Sequence, residues 1–153
     1  MTATGFDNEL MAAARAAMAN AHAPYSGFAV GAALRLTDNA IITGANFENA
    51  SLGLSLCAET VAIASASAAG RLHDVMAIAL AGASRKDIPS ASCVPLTPCG
   101  RCRQILAEAA SLAGRDIQVY CADAEGLNRA TYTASELLPH AFSAAAFARG
   151  PNM

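Results

Sequence analysis

The stretch "SLCAETVA" (residues 55–62) sets Cys57 two residues before Glu59, in a run from Asn49 to Gly70 that carries no other charge. That alanine-rich run predicts a buried helix, and burying an ionised carboxylate without a partner costs several kcal/mol. A partner is expected, and the candidate is a metal ion. Further along, "TPCGRCRQ" (97–104) holds Cys99 and Cys102 in a CxxC pair, a spacing that lets two thiolates on a helix's first turn converge on one ion. Taken alone, CxxC fits a redox dithiol, half of a zinc site or coincidence. Two features sharpen it. Cys57 heads one predicted helix as Cys99 heads another, and helix N-termini lower thiol pKa through their free N–H groups and dipole. Glu59 stands where it can approach a metal-bound water without being a ligand. Three protein ligands and an open position make a catalytic zinc, whereas a closed set of four is structural.

The chain has five cysteines, the remaining two being Cys93 and Cys121. An odd number, in a chain whose first residues "MTATGFDNEL" lack a basic stretch followed by an apolar one, argues against a disulfide framework and predicts reduced thiols. One alternative from a different class stays open: a non-catalytic structural zinc module in which Cys93 or Cys121 closes the coordination sphere. His22, His73 and His140 fall outside these motifs and are read as solvated or core histidines.

The elements that must position these residues follow from periodicity and punctuation. Residues 7–23, "DNELMAAARAAMANAHA", place Leu10, Ala14, Ala17, Met18 and Ala21 on one helical face, with Pro24 as the stop. "FAVGAALRL" (28–36) and "AIITGANF" (40–47) flank the turn residues "TDN" and predict an antiparallel hairpin. A second helix runs from Cys57 to about Ala69, with Gly70 beyond its end. "VMAIALAGA" (75–83) is continuously apolar, as in a strand covered on both faces at a sheet's centre. Residues 84–98, with three prolines, predict a loop into a third helix from Gly100 to Ala113, closed by Gly114. "DIQVYCA" (116–122) and "TYTA" (131–134) predict two more strands, and Thr133 with Glu136 forms a capping-box pattern. The order α-β-β-α-β-α-β-β-α predicts an α/β fold, one domain spanning 1–153, in which helices cover a five-stranded sheet that is mostly parallel after its hairpin.

Composition excludes several functions. No apolar run reaches the ~18–20 residues needed to cross a bilayer, so the expectation is a soluble cytoplasmic protein with no membrane partner. The net charge is -2, and the ten basic residues are scattered apart from Arg85-Lys86 and Arg101/Arg103. That is a poor footprint for a phosphate backbone, and no nucleic-acid partner is expected. Apolar residues make up 54% of the chain and charged residues 14%, which points toward contacts between subunits unless alanine packing absorbs the excess.

The motifs together resemble a known family. "CAE" followed by "PCGRC" is similar to the zinc deaminase signature in its three-cysteine form. "APYSGFAVGAAL" (23–34), "GANFENAS" (44–51), "PCGRCRQ" (98–104) and "ELLPHAF" (136–142) resemble, in order, the small homotetrameric class of cytidine deaminases. The resemblance implies a three-layer α/β/α domain with a mixed sheet. It implies one zinc per subunit on Cys57, Cys99 and Cys102, and hydrolytic deamination of cytidine and deoxycytidine to uridine and deoxyuridine in pyrimidine salvage. It further implies that Glu59 moves a proton from water to ring N3 and later helps protonate the leaving ammonia. Phe28 is implied to stack on the pyrimidine, Asn46 and Glu48 to bond the ribose hydroxyls, the Ala58 backbone N–H to hold the base's O2, and Phe142 to complete a neighbouring subunit's site. Two positions depart from the family's common pattern: Leu52 stands where a Tyr is usual and Thr60 where an Arg is usual. The second removes a cation near three thiolates, leaving helix N-termini and Arg101 or Arg103 to offset their charge. A deaminase of a modified cytosine nucleoside such as blasticidin S would use the same chemistry with an altered ribose pocket, against which "NFEN" argues.

Overall fold

Alternating apolar residues in the strands feed two separate cores, and these place the helices. In the structure, a computed structural model describing residues 5–84 and 94–147, Leu34, Ile78, Leu80 and Val119 point to one face of the sheet, where they meet Ala62, Ile63 and Leu106. Ala33, Ala79, Ala81 and Tyr120 point to the other, against Leu10, Met11 and Ala14. The elements are α1 (Asn8–Ala17), β1 (Phe28–Leu36), β2 (Ile41–Ala45), α2 (Ala58–Ala68), β3 (Val75–Ser84), α3 (Gly100–Ala113), β4 (Gln118–Asp123), β5 (Arg129–Thr133) and the single turn α4 (Ala134–Leu137). Helix α1 covers one face, and α2 with α3 the other, giving the three layers. No helix among the described residues is long and apolar enough to cross a membrane.

The sheet is mixed, in the order β2-β1-β3-β4-β5, and β3 is its centre as its apolar run predicts. The expectation of a mostly parallel sheet is not met: β1 runs antiparallel to both β2 and β3, β5 runs antiparallel to β4, and only β3 and β4 pair in parallel. The reason is topological. Helical crossovers join β2 to β3 and β3 to β4, and each does connect strands of like direction. However, β1 sits between β2 and β3, so that crossover contributes no parallel pair. The β4–β5 link is a tight turn with Gly126 at φ 74°, which can only return the chain antiparallel.

Helix α1 is shorter than predicted. It gives way at Met18–Asn20 to a 3₁₀ turn, and Ala21 is extended. His22 trades helical bonds for pairing with the segment after β2: its N–H donates to Asn46 O (3.0 Å) and Glu48 N–H donates to His22 O (2.8 Å). Pro24 reinforces this, since a residue before proline avoids the helical region. The same pairing, continued between Phe47 and Leu56, ends β2 at Ala45 rather than at residue 47. The α2 helix starts at Ala58 with Cys57 as its N-cap. Helix α3 has the predicted bounds, and Gly114 closes it at φ 65°. The capping box of Thr133 and Glu136 is present at α4. Cys93 and the segment 85–93 lie outside the described residues.

Candidate metal centre and active site

Helices α2 and α3 begin side by side, and each begins at a cysteine. Cys57 and Cys99 are the two N-caps. The orphan N–H groups and the positive dipole ends therefore face the sulfurs. Cys102, one turn into α3, adds a third, and all three Sγ atoms lie within 4.8 Å of one another. Cys57 Sγ and Cys99 Sγ are 3.8 Å apart, matching the edge of about 3.8 Å for a tetrahedron with Zn–S bonds of about 2.3 Å. The donor set thus fits zinc in both chemistry and spacing. Cys121, buried on β4 with its thiol pKa pushed up to about 12 by burial and the nearby Glu59, is outside the trio.

Without a metal these thiols do not ionise together. Burial, with Cys99 and Glu59 adjacent, raises Cys57, and burial with Glu59 raises Cys102. Burial also acts upward on Cys99, but the Cys102 backbone N–H and the neighbouring thiols outweigh it, so Cys99 is lowered. Metal binding at this trio must therefore release protons.

Glu59 is buried, only 4% exposed, and makes no ion pair among the described residues. Burial raises its pKa against the opposing pull of its own backbone N–H and of Cys102. A carboxylate held above its ordinary range suits a group that must both take and give a proton. The plain structural alternative, pairing with Arg103, does not occur: Arg103 Nε donates to Pro98 O (2.9 Å) and Nη1 to Leu137 O (3.2 Å). Arg101 donates to Ser55 O (3.4 Å). Both arginines donate to backbone carbonyls. Thr60 also meets a sulfur: its Oγ1 lies 3.7 Å from Cys102 Sγ.

A cavity of about 230 Å³ opens on this corner, lined by Val30, Asn46, Glu48, Ser55, Leu56, Cys57, Ala58, Glu59, Leu96, Thr97 and Cys99. Its size suits one small ligand rather than a polymer. Of the residues singled out in the sequence, Asn46, Glu48, Ala58 and Glu59 line it, with two of the three cysteines. Phe28 and Phe142 do not. Phe28 begins β1 and is 38% exposed, with its ring edge against Gly82, where a Cβ would come within 3.1 Å of Cε1 and 2.6 Å of Leu96 Cδ2. Gly82 leaves room for both side chains, and through Leu96 the ring adjoins the cavity wall. Phe142 is 61% exposed and packs edge-on against Phe147. Gln104 holds its backbone by two hydrogen bonds, of 2.8 and 3.3 Å.

Asn46 and Glu48 are already engaged. Asn46 Nδ2 donates to Phe28 O (2.9 Å) and its Oδ1 accepts from Val30 N–H (2.8 Å). Glu48 Oε2 accepts from Tyr25 N–H (2.9 Å) and Ser26 N–H (3.2 Å). The Ser26 hydroxyl on its other oxygen, with those N–H groups, holds the carboxyl below the usual range. Sequence reasoning misses Ser26, Gly44 and Gly82. A glycine inside a strand pattern marks close approach of another chain segment, and both glycines carry that signal.

Comparison with known proteins gives a consistent picture. Residues 4–113 match the family model described as the cytidine and deoxycytidylate deaminase zinc-binding region. A cytidine deaminase of Halalkalibacterium halodurans is 45% identical over 124 residues, covering 81% of this chain and 84% of that protein. A cytidine deaminase of Mycobacterium tuberculosis is 41% identical over 103 residues, or 66% of this chain and 69% of that one. The crystal structure of cytidine deaminase from Burkholderia pseudomallei superimposes with a TM-score of 0.75 at 41% identity, covering 88% of this chain and 97% of that chain. With its fold and most of its length shared with these proteins, and residues 4–113 matching the family model, the chain belongs to the zinc-binding cytidine and deoxycytidylate deaminase family.

Proposed function

We propose that this protein is a zinc-dependent hydrolase that deaminates cytidine and deoxycytidine to uridine and deoxyuridine, releasing ammonia, as a cytoplasmic enzyme of pyrimidine salvage. The observation that carries the proposal is the buried Glu59, without an ion-pair partner among the described residues, on the wall of a nucleoside-sized cavity where three cysteine sulfurs converge. Cys57, Cys99 and Cys102 would hold the zinc, which when bound supplies a Lewis acid able to bring the pKa of water from 15.7 down to about 7.

The chain's own residues account for the remainder. Glu59, its carboxyl raised by burial, takes one proton from water as its oxygen bonds to C4 and delivers it to ring N3, then takes the remaining hydroxyl proton and hands it to the amine as the C4–N bond breaks. The Ala58 N–H, in the uncapped first turn of α2, donates to the base's O2. Phe28 stacks on the pyrimidine. Asn46 and Glu48, both half-buried, use the hydrogen-bonding capacity left over from their backbone partners to bind sugar hydroxyls. Phe142 serves a neighbouring subunit's site in a homotetramer. Supporting that assembly, Phe47, Leu52 and Leu54 are 45%, 70% and 64% exposed, and Phe142 is also exposed.

The test is ultraviolet monitoring of cytidine, deoxycytidine, 5-substituted cytidines and blasticidin S, with ammonia measured in parallel. Turnover of the first two is expected, and turnover of blasticidin S alone would overturn the substrate assignment. Glu59→Gln should keep its zinc and lose at least ~10²–10⁴ in rate. Retained turnover in that variant would remove Glu59 from the mechanism.

A further inference from the structure

Four residues at the cavity mouth form one continuous polar chain, and the one without an assigned role stands in its middle. Ser26 Oγ accepts from Phe28 N–H (3.0 Å) and donates its proton to Glu48 Oε1. Asn46 holds the other end of the same residue by donating to Phe28 O. The turn that presents Ser26 is closed by Gly27 N–H donating to Ala23 O (3.0 Å), with Gly27 at φ 70°. A hydroxyl is the side-chain group that can accept and donate at once from so short a tether. Alanine here would leave the Phe28 N–H and one Glu48 oxygen without their partner and would free the carboxylate to turn.

We propose that Ser26 is a positioning residue for nucleoside recognition: its hydroxyl fixes the Glu48 carboxylate relative to the Phe28 backbone, setting the distance between the sugar-binding and base-stacking groups. This rests on the deaminase reading of the cavity. Ser26 touches no sulfur and is not part of α2 or α3, so it acts on how tightly and in what pose the nucleoside is held. Proton transfer at Glu59 does not depend on it. Binding that is equal in ground and transition states appears in KM and not in kcat.

The test compares wild type, Ser26→Ala and Ser26→Thr, each with zinc content and thermal midpoint measured, for kcat and KM with cytidine and for the Kd of the product uridine by calorimetry. Ser26→Ala should raise KM and the uridine Kd together by roughly 3- to 10-fold, the range for one lost hydrogen bond, with kcat changed less. Ser26→Thr, which keeps the hydroxyl, should restore most of both. In a Glu48→Ala background, Ser26→Ala should add less than about twofold, because the group it positions is gone. An unchanged KM and Kd in Ser26→Ala, a loss confined to kcat or zinc content, or an undiminished effect in the Glu48→Ala background would each overturn the proposal. Absence of cytidine turnover in the wild type would instead overturn the deaminase reading itself, so the two failures are distinct.

Discussion

Gly44 on β2 predicts a linked loss of stability and activity from the addition of one methyl group. A Cβ at this position would sit 2.5 Å from Ala58 O and 2.6 Å from Ala62 N, both backbone atoms of α2. Ordinary contact begins at about 3.5 Å, so α2 must retreat by about 1 Å in Gly44→Ala. Overpacking of this kind costs about 1–3 kcal/mol, which in a chain of this length lowers the melting midpoint by roughly 2–12 °C. Helix α2 also carries Ala58 and Glu59 and is capped by Cys57, whereas Cys99 and Cys102 ride on α3. The retreat therefore pulls one sulfur and the Glu59 carboxylate, the proposed acid–base group, away from the other two sulfurs, and a displacement of about 1 Å can cost about 10²-fold in rate. Gly31→Ala is the comparison. Its Cβ would meet Ala14 O at 2.0 Å and Met18 N at 2.7 Å on the opposite face, so it strains α1, which holds no site residue. Thermal melts, zinc content and kcat/KM for cytidine decide the matter. Gly44→Ala should lose zinc affinity and activity well beyond its share of unfolded protein, while Gly31→Ala should lose more stability and keep its activity per folded molecule. Equal activity losses at equal stability loss, or a Gly44→Ala midpoint within about 1 °C of wild type, would refute the reasoning.

Other predictions follow from single contacts. Burial acts upward on the Asp123 carboxyl, but bonds from the Asn128 side chain and from the backbone N–H groups of Leu127 and Asn128 prevail and lower its pKa. A depressed carboxyl stabilises above its unfolded value near 3.9 and loses that contribution as pH falls through the folded value. Asp123→Asn should therefore melt several degrees below wild type at pH 7, with the gap closing in melts run well below pH 4. Thr60→Val removes the hydroxyl beside Cys102 Sγ and should weaken zinc binding about 10-fold or more in chelator competition, with Thr60→Ser close to wild type. Cys121→Ser should leave zinc stoichiometry unchanged by atomic absorption, and Cys102→Ser should abolish it; loss of zinc in the former would place Cys121 in the coordination sphere.

Signals carried within a few residues are legible in the sequence. The Gly114 stop of α3, the Thr133–Glu136 capping box, the bounds of β1 and the central position of the apolar β3 all appear where local chemistry puts them. The Cys57 and Cys99 helix starts are legible for the same reason, as is the anomaly of a lone carboxylate in an alanine helix. Two departures from expectation share one cause. Helix α1 ends early because His22 bonds to Asn46 and Glu48, and the crossover from β2 to β3 gives no parallel pair because β1 lies between them. In both cases the deciding partner is distant in the chain.

Residue types and spacing alone determined which donors this protein offers a metal, because thiolate chemistry and helix capping are local properties. Only the tertiary structure decided that the cysteines at the starts of α2 and α3 bring their sulfurs within 4 Å of each other, that Arg101 and Arg103 bond backbone carbonyls while Thr60 meets Cys102, and that Ser26 ties Glu48 to Phe28. Those outcomes depend on strand order and on close backbone approach at glycines, which are set by packing between segments that no local signal relates.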